Sequence, residues 1–120
     1  MKQWKYSLMK NDVTLLKHIA NACTRIEEYT SGYSLDDFLQ LPEKQDAVIR
    51  QIEIIGEAAS HITSECKEKY PGIEWRGIIG MRNILIHQYF GIDLYETYHT
   101  ATVDIPKLSI AISEILRKEP

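Results

Sequence analysis

The densest chemistry in this sequence lies in one short stretch. Arg82 and Asn83 are followed by Ile84, Leu85 and Ile86, and then by His87, Gln88 and Tyr89. Arginine keeps its charge at physiological pH, and its planar fork can hold two phosphate oxygens. Histidine, with an ordinary pKa of about 6.5, can give or take a proton near neutrality. Phosphodiester cleavage needs a cation beside a proton-transfer group, and RNA brings its own nucleophile in the 2′-hydroxyl. Such a pair would supply general acid–base help of roughly 10²–10⁴, plus roughly 3 kcal/mol of charge stabilisation. The competing reading is a plain helix end, with Asn83 and His87 bonded at i,i+4 and Arg82 in a surface ion pair.

Helix geometry constrains this chemistry. Arg82 and His87 are five residues apart, about 140° around an ideal helix, whereas Asn83 and His87 share a face, as do Arg82 and Tyr89. Convergence on one phosphate therefore requires one of three things. Arg82 can wrap around the helix, the turn can distort near Gly77 and Gly80, or a second copy can contribute across a twofold axis. The homodimer is the preferred solution, because it also doubles the positive charge of the site.

The elements that must hold these residues read as helical. Leu15, Ile19, Ala22, Ile26 and Tyr29 recur at spacings of four and three after Asp12, and Ser31-Gly32 ends that helix. Ser34 and Asp37 form a capping-box variant before Leu35, Phe38 and Leu39, and Pro42 interrupts this short second helix. A third stripe steps through Val48, Ile52, Ile55, Ala59, Ile62 and Cys66, widened by Ile49 and Gly56, and closes at Tyr70-Pro71-Gly72. A fourth helix is expected from Ile73 to Tyr89, with Gly91 as its stop and Asp93 capping the next. Leu94, Tyr98, Ala101, Ile105, Leu108, Ile112 and Ile115 then stay in phase through Pro106, which predicts one kinked helix. The expected fold is all-α: a single domain over residues 1–120, built as an up-and-down bundle of about five helices.

Composition narrows the function. At 120 residues, 44% hydrophobic and 26% charged, the chain is an ordinary globular domain that can bury about two-thirds of its surface. A net charge of −3 argues against a general nucleic-acid coat, which needs many cations, but leaves room for a local RNA site. Cys23 and Cys66 fall on apolar stripes and read as core residues. His18, His61 and His99 lack metal-ligand spacing and read as surface groups, so no metal and no cofactor are expected. Glu53 and Glu57 read as solvated flanks, Tyr98 as core, Tyr95 as exposed, and Lys67-Glu68-Lys69 as a solvated turn. Neither a leader nor a membrane span is expected, which points to the cytoplasm.

The sequence resembles the HepT family of HEPN-domain proteins, the toxin halves of HEPN–MNT toxin–antitoxin pairs. The likeness runs from about Asp12 to Leu116. It is carried by Phe38 after the Ser34 cap, Ile55-Gly56-Glu57-Ala58-Ala59, Pro71-Gly72-Ile73-Glu74-Trp75, and Gly80-Met81-Arg82-Asn83 running into His87-Gln88-Tyr89. The last piece has the family's pattern of arginine, four residues, histidine, one residue, tyrosine. The resemblance implies a helical bundle that dimerises with its motif helices facing across a cleft, and a metal-independent endoribonuclease. It also implies that Arg82 binds the scissile phosphate, His87 serves as general acid or base, and Asn83 orients them. Tyr89 would accept AMP from a partner nucleotidyltransferase antitoxin of the MNT type. A non-catalytic module that binds a nucleotide or the partner is the alternative.

Overall fold

The computed structural model describes residues 10–87 and 93–119, with side chains over 11–81 and 93–119. Its elements are α1 (Lys10–Thr30), α2 (Leu35–Leu39), α3 (Pro42–Ser60), α4 (Ser64–Lys69), α5 (Trp75–His87) and α6 (Leu94–His99). A π-helical turn (Thr100–Asp104) then leads into α7 (Ile105–Lys118). The architecture is the expected all-α bundle: α1 packs on α3 and α7, and α3 packs on α5. The core is aliphatic, with Leu16, Ile19, Ile26, Ile52, Ile55, Ile105 and Ile112 almost fully buried around Phe38.

The buried stripe of α1 is rotated slightly from the expected one. Asp12, Leu16, Ile19, Cys23, Ile26 and Thr30 are buried, while Leu15 and Tyr29 sit half-buried at its edge. Two polar residues on a core stripe need partners. Thr30 donates its hydroxyl to the Ile26 carbonyl at 2.9 Å, one turn back in its own helix.

Asp12 reaches across the bundle. One carboxylate oxygen accepts the Thr63 backbone N–H at 3.0 Å, and the other accepts the Thr63 hydroxyl at 2.6 Å. Thr63 in turn caps α4, its hydroxyl oxygen accepting the Cys66 N–H. This corrects the expectation of one helix from Val48 to Cys66. Once the Thr63 N–H is committed to Asp12, it is lost to an α-helical ladder, and the chain turns at His61 and restarts. Lys67-Glu68-Lys69, expected as a turn, consequently lies in α4.

The remaining expectations are mostly met. Ser34 and Asp37 form the full capping box, and Pro42 stands in the first turn of α3. Ala101, Ile105, Leu108, Ile112 and Ile115 are buried in phase on either side of Pro106. The irregularity in this run is the π turn just ahead of Pro106, where the Ile105 N–H bonds to the Thr100 carbonyl five residues back. Proline brings no N–H and crowds the carbonyl four residues before it, so a widened turn there accommodates it. The α5 helix begins at Trp75 rather than Ile73, and Ile73 is buried in the preceding turn. Tyr89 and Gly91 lie outside the described residues.

Candidate active site

The start of α5 is fixed from both sides of the preceding turn. The Trp75 indole N–H donates to the Tyr70 carbonyl at 3.0 Å, and the Trp75 backbone N–H donates to Ile73 at 2.9 Å. The Tyr70 hydroxyl donates to Glu119, whose carboxylate is also 2.8 Å from the Lys69 ammonium. Glu119 is thus buried but engaged, tying the end of α7 to the turn that launches α5. Burial, then the hydrogen bond and negative charge of Glu119, push the Tyr70 phenol well above its usual range. The sequence signal for this tie was weak, because Glu119 stands beyond the last apolar repeat.

Arg82, Asn83 and His87 all fall on α5, which is α-helical from Trp75 to His87. Gly77 and Gly80 do not distort it, so of the three routes to convergence the bent turn is removed. What remains is register. Position 82 follows buried Trp75 by seven residues and buried Ile78 by four, continuing their stripe. Positions 83 and 87 follow exposed Arg76 by seven and eleven residues, continuing a different stripe. Arg82 and His87 therefore stand at positions about 140° apart around one continuous helix. Tyr89, the expected AMP acceptor, lies outside the described residues.

The other candidates are placed plainly. His18, His61 and His99 are exposed, and His61 lies 3.0 Å from the exposed Glu57 carboxylate. Tyr98 packs its ring on Phe38 with centroids 5.4 Å apart and donates its hydroxyl to the Tyr33 carbonyl, while Tyr95 is exposed. Both cysteines are buried and unbonded. Burial, reinforced by the charge of Glu27, pushes the Cys23 thiol up to about 12. Burial with Asp12 and Glu119 nearby pushes Cys66 to about 11. Neither is a nucleophile at neutral pH. Among the described residues no group of three His, Cys, Asp or Glu is placed to hold a metal ion. Nor is any helix there long and apolar enough to cross a membrane.

Comparison with known proteins identifies the class. The ribonuclease HepT-like family matches residues 19–115, most of the chain including all of α5. A Methanocaldococcus jannaschii protein named "gamma-glutamylcyclotransferase and putative RNase" is 46% identical over 92% of this chain, which spans only 50% of that protein. A Caldanaerobacter subterraneus protein named "putative RNase" is 39% identical over 92% of this chain and 99% of its own length. A "probable ribonuclease HepT" from Thermococcus cleftensis is 45% identical over 78% of this chain and 84% of its own. No solved structure gives a significant match. The chain belongs to the HepT-like ribonuclease family.

Proposed function

We propose that the protein is a metal-independent endoribonuclease toxin that cuts RNA at a homodimer cleft between two copies of α5. The observation that carries this reading is the intact helix bearing Arg82, Asn83 and His87 in a chain of this family. Arg82 holds the scissile phosphate, and Asn83 orients the reacting groups. The 2′-hydroxyl attacks the adjacent phosphorus, the P–O5′ bond breaks, and a 2′,3′-cyclic phosphate and a free 5′-hydroxyl leave. His87 serves as general acid or base for one of the two proton transfers. The uninterrupted helix favours the dimer, because a second copy offers a way to bring a cation and a histidine from separate stripes to one phosphate.

The decisive assay is cleavage of RNA in EDTA by the wild type beside identically purified His87→Ala. The wild type should cut and the variant should lose at least roughly 10²-fold in rate, with unchanged helicity and melting. Equal cleavage by both would reject the assignment.

The same reading includes silencing. A partner nucleotidyltransferase antitoxin of the MNT type adds AMP to Tyr89, placing phosphates where they compete with RNA for Arg82. Tyr89→Phe should leave cleavage intact and make it insensitive to partner plus ATP. Intact-mass measurement showing the same AMP load on the variant would overturn the role of Tyr89.

A further inference from the structure

We infer a second RNA contact on the same helix: a phosphate subsite at the cleft lined by Lys67, Trp75, Arg76, Ile79 and Gly80, upstream of the motif. The inference rests on the ribonuclease reading above and adds to it where the rest of the strand is held. The cleft has a volume of about 490 Å³ and lies between the end of α4 and the first two turns of α5. Its floor is Trp75, nearly buried with its indole N–H already bonded to Tyr70, and half-buried Ile79. Its two cations are Lys67 and Arg76. Among the described residues neither forms an ion pair, whereas neighbouring Lys69 is bound to Glu119.

Charge and register favour RNA over an acidic protein. The α5 segment carries Arg76, Arg82 and His87 with no carboxylate among its 13 residues, in a chain of net charge −3. Positions 76, 80, 83 and 87 repeat at four, three and four, so the cleft and the Asn83–His87 positions share one stripe. At 1.5 Å per residue, Arg76 stands about 16 Å along the axis from His87 and about 10 Å from Asn83. A strand whose scissile phosphate sits at the motif would run its backbone along this stripe into the cleft. Gly80 leaves the path open, since a Cβ built there meets no described heavy atom within 4 Å.

The test measures cleavage of a short mixed-sequence single-stranded RNA, and its binding by anisotropy on a His87→Ala background across a salt series. The double variant Lys67→Gln/Arg76→Gln should raise KM by roughly three- to thirtyfold with kcat held within about twofold. Its salt slope should fall by about 1.4, the loss of two phosphate contacts on a single strand. Gly80→Glu, which adds a carboxylate to the cleft without removing a contact, should weaken binding in the same direction. The control Lys17→Gln/Arg25→Gln removes two exposed cations from α1, which packs on α3 and α7, and should leave KM unchanged. Unchanged affinity and salt slope in the cleft variants, or an equal effect from the α1 control, would overturn the subsite. Loss of cleavage in the wild type would reject the nuclease reading, while the anisotropy series would still decide the cleft.

Discussion

Tyr70 gives up its hydroxyl to Glu119 and its carbonyl to Trp75, so one residue joins the C-terminal end of α7 to the start of the site helix. Its phenol is held above its ordinary range by burial and then by the Glu119 carboxylate, which favours the neutral form. A folded-state pKa above the unfolded one stabilises the fold fully below the unfolded value of about 10, and that contribution is lost as pH rises beyond it. Wild-type melting temperature should therefore drop more steeply above about pH 10 than that of Tyr70→Phe, which has no proton to lose. Parallel alkaline melting curves for the two proteins would contradict this role. The two cysteines show the opposite use of burial. Raised thiols in an apolar core pack well and react poorly, so they belong to the fold rather than to the chemistry.

At the level of elements, the sharpest feature is the break between α3 and α4. Apolar spacing alone would carry a helix from Val48 through Cys66, and Ile62 and Cys66 are indeed both buried. The Asp12 carboxylate, itself 1% exposed, takes both donors of Thr63 and ends that ladder. Asp12→Ala would leave the Thr63 N–H and hydroxyl without their partner in a half-buried turn. Such orphaning costs about 2 kcal/mol. Urea denaturation should show a loss of that order with little change in m-value. A loss below about 0.5 kcal/mol, the range of a neutral surface substitution, would mean that Asp12 does not control the break. The helix that restarts at Ser64 carries Lys67, which lines the same cleft as Arg76.

For the whole molecule, the proposed chemistry requires Arg82 and His87 to meet at one phosphate. An uninterrupted α5 keeps their positions on separate stripes, and the proposed homodimer would bring the histidine of one copy to the arginine of the other. Subunit mixing tests this directly. Arg82→Ala and His87→Ala proteins, each inactive alone, should recover about a quarter of wild-type activity when exchanged, since half the dimers would carry one intact site. The measurement is initial cleavage rate after co-refolding of equal amounts. No recovery, with exchange verified by native mass spectrometry, would place both residues of each site on a single copy.

Much of this protein is set by local physics and was therefore legible in the sequence. Helical periodicity, the Ser34–Asp37 capping box and the phase-keeping stripe through Pro106 depend only on residues within a few turns of each other. The same holds for the stretch from Arg82 to Tyr89, whose residue types and spacing define the candidate chemistry and the family resemblance. Tertiary structure decided what depends on distant partners. Asp12 meets Thr63 across 51 positions, and Lys69 and Tyr70 meet Glu119 across 50 and 49. Periodicity cannot anticipate such contacts, because a buried carboxylate looks like any polar residue until the opposing donor is in place. That α5 runs without a break at Gly77 and Gly80 is another such outcome. Packing against α3 holds a helix that Gly77 and Gly80 would weaken in isolation, and this keeps Arg82 and His87 on separate stripes.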